Sequence, residues 1–161
     1  MKGETSVKIV LDNWNKQISA ANKLIDSLTD AELEKEVAPG RNRGVYLLGH
    51  LTAVNDKMLP LLNFGEAKYP KLYEDFAVKP DRAVAEIPSA SELRKCWKNS
   101  CDELNKHFSK LTTEDWFSKH TSVNAEDFAK EPHRNKLNVV LGRTGHLQSH
   151  LGQLVFLKSR G

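Results

Sequence analysis

Two histidines, His146 and His150, lie four residues apart in the stretch His146-Leu147-Gln148-Ser149-His150. On a helix that spacing stacks the side chains on one side, about 6 Å apart at Cβ. The run around them, 136–160, has no proline and a 3.6-residue apolar period, so it reads as one long helix. Val139, Arg143, Gln153 and Leu157 continue the histidine side, and Leu147, Leu151 and Leu154 lie beside it. The pair therefore points toward or along the buried side, where an imidazole needs a partner. A divalent metal ion is one such partner. A set of hydrogen bonds within a packed core is the other.

His50 is the third member. It falls three residues after Leu47 and four before Val54, on the apolar side of a predicted helix over 45–62. Histidines facing inward from two helices can converge, and three neutral imidazoles would leave a divalent cation near its full charge. Such a site keeps at least one coordination position open, as catalytic zinc centres do. Nickel, iron or cobalt would also accept three nitrogens. The open position implies chemistry: a bound water is acidified and a bound thiol is deprotonated. HxxxH alone is a weak signal, and HExxH with its built-in glutamate base is absent. His107, His120 and His133 read as surface or loop residues. Gln153, Asn55 and Asp56 are candidates to orient the ligands from behind. Arg143, one turn before His146, would repel a cation and is better cast as an anchor for an anionic group of a cofactor or substrate. No Glu or Asp falls on the predicted metal face, and Glu126 or Asp127, from the last connection, is the acid that could reach it as a general base.

Four amphipathic helices must position these residues. The first spans about 6–27, through Val7, Trp14, Ile18, Ala21 and Ile25, with Trp14 as a core anchor. Thr29 with Glu32 makes a capping box for a short turn before Pro39-Gly40. The second is the His50 helix, where Gly49 costs about 1 kcal/mol of helix propensity against alanine. Close approach of another backbone is one reason to accept that cost. A long connection over 63–90 follows, restrained by three X-Pro steps, and Ser89 with Glu92 caps a third helix running to Phe108. A second connection over 110–135 includes a helical turn at Thr112–Asp115 and a short extended piece at 117–123. Gly145, Ser149 and Gly152 form a small-residue stripe on the fourth helix. It predicts close packing of the first or third helix, or of a second subunit. The expectation is one all-α domain over 1–161, a four-helix bundle with two longer connections.

Composition narrows the function classes. Apolar residues at 39% and charged residues at 28% suit a globular chain and not a disordered one. No apolar stretch approaches the roughly 18–20 residues of a membrane span, and polar residues interrupt any signal-peptide core, so a cytoplasmic protein is expected. Cys96 and Cys101 diverge by about 140° on a helix and form no CxxC pattern, which makes them ordinary small residues. Net charge is +3, with an acidic cluster over 26–36 and no Asp or Glu after Glu131. The basic C-terminal segment can steer an anionic ligand. Its charges are neither clustered nor interleaved with aromatics, so nucleic acid is not expected as a partner.

Gly49-His50-Leu51 and the run His146 to Leu154, HLQSHLGQL, resemble the DinB-like superfamily. This is a metal-dependent group that includes YfiT-like proteins and the mycothiol- and bacillithiol-dependent S-transferases. The resemblance covers nearly the whole chain. It implies an up-down-down-up bundle, a metal (commonly zinc or nickel) held by His50, His146 and His150, a small-molecule substrate, and frequent homodimers. Three function classes follow. A thiol S-transferase would use a low-molecular-weight thiol, with Arg143 on a cofactor carboxylate. A hydrolase would act through metal-bound water and needs a nearby base. A metal-binding stress or interaction protein would not turn over at all. The lack of a well-placed acid favours thiol transfer.

Overall fold

The computed structural model describes residues 2–158. In chain order the helices are α1 (Lys2–Ser27), α2 (Asp30–Leu33), α3 (Gly44–Leu61), α4 (Pro70–Tyr73), α5 (Ala90–Phe108), α6 (Thr113–Phe117), α7 (Ala125–Lys130) and α8 (Lys136–Leu154). A π turn, Glu74–Val78, extends α4, and a 3-10 turn, Val155–Leu157, follows α8. No strand forms among the described residues, so the fold is the expected all-α bundle.

α3 decides the architecture because it is apolar nearly all round, with both Leu47 and Leu48 and both Met58 and Leu59 buried. Such a helix has to be enclosed on every side. α5 runs beside it in the same direction: Asn55 meets Cys101, and Phe64, just past the end of α3, meets Phe108. α1 lies against α5 in the opposite sense, since Trp14 packs on Phe108, the Trp97 indole donates to Asn22 Oδ1, and Arg94 donates to the Leu28 carbonyl. α8 packs along α1 with their N-terminal ends together, where Val10, Leu137 and Leu141 line one small pocket. The order is up-down-down-up. α3 and α8 are therefore antiparallel neighbours, which lets residues on both face each other across one seam.

Aromatic packing ties the second long connection to this body. Phe108 sits edge-on to both Trp14 at 6.2 Å and Trp116 at 5.0 Å. Edge-to-face pairs of this kind contribute about 0.5–1.5 kcal/mol each beyond simple burial. Trp116 rides on α6, whose start is set by a reciprocal capping box between Thr112 and Asp115.

Several expected boundaries change. The first helix starts at Lys2 rather than near Ser6. The region 63–90 is not a plain connection, because Pro70 opens α4 at the position where a missing N–H costs nothing. The segment 117–123 is not an extended piece: only a single bridge, Lys119 with Asn135, is strand-like there, and α7 follows under an Asn124 cap. The final helix stops at Leu154, and the tighter 3-10 turn tucks Leu157 against Gly44, where a Cβ would collide with it. Arg160 lies outside the described residues.

The small stripe on α8 is not covered from within. Nothing lies within 4 Å of a Cβ built at Gly142, Gly145 or Gly152, so the expected close packing of α1 or α5 there is wrong. The histidine side of α8, not the glycine side, meets α3.

Candidate metal centre

The site begins with two side chains of α3 that lie one turn apart, Tyr46 and His50. Their rings stack with centroids 6.4 Å apart and planes 14° from parallel. Both reach the end of the π turn, whose last carbonyls have no partner within the turn. Tyr46 Oη donates to the Lys79 carbonyl at 2.7 Å, and His50 Nδ1 donates to the Phe76 carbonyl at 2.8 Å. Lys71 and Lys79 both pair with the buried Asp75 and hold the turn in shape. The turn can approach this closely because residue 49 is glycine. A Cβ there would lie within 2.6 Å of the Phe76 ring, far inside contact distance.

Since a carbonyl only accepts, His50 must carry its proton on Nδ1, and its Nε2 presents a bare lone pair. His150 takes the same tautomer when its Nδ1 donates to Gln153 Oε1, 2.7 Å away, a bond that favours this state without forcing it, because an amide can also turn to donate. Both Nε2 atoms lie 3.1 Å from His146 Nε2. In that state at most one proton, on His146, can lie among these three nitrogens. At least one lone pair then faces another nitrogen with no hydrogen between them.

A second proton is a poor remedy. Burial first, then the neighbouring His150, His50 and Arg143 charges, push His146 down to about 4. Burial likewise lowers His50, although its bond to the Phe76 carbonyl works the other way. A cation with empty orbitals suits the cluster better. Two nitrogens about 2.1 Å from one ion and 3.1 Å apart would subtend about 95°, between facial octahedral and tetrahedral values. The three residues fit a divalent metal, and all their ligand atoms fall within 4.8 Å of one another.

The other predicted residues divide. Gln153 does orient a histidine from behind. Asn55 and Asp56 do not: Asn55 donates to the Cys101 sulfur, and Asp56 accepts from the backbone N–H groups of Lys68 and Tyr69. Glu126 is paired with Lys130 and Asp127 with its own helix cap, so neither supplies a base, and no carboxylate joins the histidine group among the described residues. His107 stacks on Phe64, His120 accepts from Ser122 N–H, and His133 is exposed. Arg143 is half-buried, and its charge depresses both His50 and His146. The Phe76 carbonyl is the contributor that side-chain reading misses. Its one trace in the sequence is a glycine beside His50.

A helical bundle that gathers three imidazoles across one seam, with no carboxylate joining the group among the described residues, defines a class of candidate metal-binding bundle proteins. The chain belongs to the DinB superfamily, whose family model matches residues 13–154, a span that contains all three histidines. No curated protein matches the chain at a significant level.

Proposed function

We propose that this protein is a metal-dependent enzyme of the thiol S-transferase type, with His50, His146 and His150 holding one zinc or nickel ion through Nε2. The observation that carries the reading is the proton count: with Nδ1–H of His50 held by the Phe76 carbonyl and Nδ1–H of His150 given to Gln153 Oε1, three converging nitrogens share at most one proton. A bound divalent ion would supply a positive charge that favours the thiolate form of a low-molecular-weight thiol at neutral pH. The Phe76 carbonyl and Gln153 hold the tautomers that such an ion requires. Arg143 binds an anionic group of the thiol or its co-substrate. The chain's own thiols are poor substitutes, since burial pushes Cys101 up to about 12 and also raises Cys96. A hydrolase reading is weaker, because activation of water wants a base within hydrogen-bond reach, no carboxylate joins the histidine group among the described residues, and Glu126 and Asp127 are engaged elsewhere.

A homodimer belongs to the same reading. The uncovered stripe on α8 is flanked by exposed Leu141, Val155 and Phe156.

The test is metal analysis of untagged protein with thiol titration of the cobalt-substituted form. About one ion per chain and a saturable change in the cobalt absorption spectrum on adding thiol are expected. H146A should lose tight metal binding while keeping the helical circular-dichroism spectrum, a loss larger than the about 10–100-fold that outer-shell changes produce. Unchanged stoichiometry in H146A would sink the triad. Metal without any thiol response would end the transferase reading and leave a hydrolase or a protein that only binds metal.

A further inference from the structure

One turn along the seam from the histidines lies a pocket of about 360 Å3, lined by Lys57, Pro60, Leu61, Tyr73, Thr121, Ser122 and Arg143. Two of these residues are cations and none is an acid. Arg143 makes no hydrogen bond or ion pair with any described residue, although it is half-buried, and burial lowers its proton affinity. Of the other described arginines, Arg43 pairs with Asp81 and Glu34, Arg82 with Glu36, Arg94 with Asp30 and Arg134 with Glu131, and Arg41, likewise unpaired, is exposed to solvent. Lys57 has no carboxylate either; its ammonium lies over the Tyr73 ring, 5.0 Å from the centroid.

Position along the helices relates this pocket to the histidines. Arg143 precedes His146 by three residues, about 4.5 Å of rise, and Lys57 follows His50 by seven, about 10 Å. Because α3 and α8 are antiparallel, both displacements run the same way, and the two cations meet at one mouth. Thr121, whose N–H and hydroxyl are bonded to the carbonyls at the end of α3, closes the far side.

We infer that this pocket binds the anionic group, carboxylate or phosphate, of the same small molecule whose other end reaches the three histidines. A half-buried guanidinium without a counter-ion presents its full fork of donors, the geometry that a carboxylate or phosphate accepts in bidentate fashion. Lys57 adds a second, more exposed charge, which draws anions in and tolerates a dianion. Neutral ligands can accept hydrogen bonds from these groups but gain no charge pairing. As an account of a two-ended ligand this rests on the metal reading above; as an anion site it stands on its own residues.

The test is a chemical-shift titration of 15N-labelled full-length protein at constant ionic strength, with inorganic phosphate in one arm and acetate in the other. Saturable shifts are expected at the backbone amides of Lys57, Ser122 and Arg143 with at least one anion, and the stronger arm names the group. R143Q should weaken that response about tenfold or more, the loss of a charge-assisted pair. R143K should recover part of it, and K57Q should weaken it less than R143Q does. Zinc binding by R143Q should be at least as tight as by the unmodified chain, which also shows that the variant is folded. No saturable shift with either anion, or an R143Q response equal to that of the unmodified protein, overturns the inference. An Arg143-dependent anion response in a protein that binds no zinc would remove the metal reading and leave this site standing. Zinc binding without an anion response would do the reverse.

Discussion

At the scale of single residues, Gly49 and Phe76 matter as much to the candidate site as the histidines. Glycine at 49 is unfavourable for helix α3, yet it is what lets the Phe76 ring lie on the helix and its carbonyl accept the hydrogen bond from His50 Nδ1. The G49A variant tests this. A methyl group forced against a fully buried ring is expected to cost about 1–3 kcal/mol of stability, read from the midpoint of urea unfolding. Moving the carbonyl also frees the His50 tautomer, so zinc affinity measured by chelator competition should fall about 10–100-fold. A destabilised G49A that binds zinc normally would show that the carbonyl does not set the ligand.

At the scale of elements, the start of α3 depends on a residue 38 positions away. Arg43, its N-cap, offers no side-chain cap of its own. Asp81 supplies one from the connection before α5, accepting from Arg43 N–H at 2.8 Å and from the guanidinium Nη2 at 2.8 Å. Burial alone would raise the Asp81 carboxyl, but the Arg43 hydrogen bonds and charge outweigh it and hold the group below its ordinary value. A depressed carboxylate stabilises the folded state fully above its unfolded pKa of about 4, and that contribution fades as pH falls through the lower folded value. D81N should therefore lose about 1–3 kcal/mol at pH 7. The gap between D81N and the unmodified protein should narrow below about pH 4. An equal gap at pH 7 and pH 3 in urea unfolding would show that charge is not the cause. Neighbouring surface pairs, Asp30 with Arg94 and Glu36 with Arg82, turn the acidic cluster of 26–36 into a partly neutralised edge.

For the molecule as a whole, a ligand that binds only the folded state adds to its stability. An ion at one hundred times its dissociation constant adds about 2.7 kcal/mol. Zinc should accordingly raise the thermal midpoint of the chain by several degrees, a chelator should return it, and H146A should show neither change. A midpoint that ignores zinc would mean that the histidines serve the fold alone. The bundle predisposes the site to act as a joint between helices, since His50 comes from one side of the seam and His146 and His150 from the other. None of the described helices is long and apolar enough to cross a membrane.

Much of this was legible from residue types and spacing. The 3.6-residue period placed the starts of the four long helices to within a few residues but overran the end of α8, and the capping boxes at Thr29 and Ser89 marked two starts correctly. The apolar setting of His50 and the i, i+4 pair on α8 were enough to name the three histidines, because a helix turns side-chain spacing directly into direction. Tertiary structure decided the rest. Which carbonyl fixes His50, which acids stay away, and that Arg143 shares a pocket with Lys57 all depend on contacts between residues 26 to 86 positions apart. Backbone groups carry no side-chain signature. The short helix α4 owes its place to the α3 surface it packs on and α7 to its Asn124 cap, and the glycine stripe proved bare because packing depends on what the fold brings near, which periodicity along one helix does not contain.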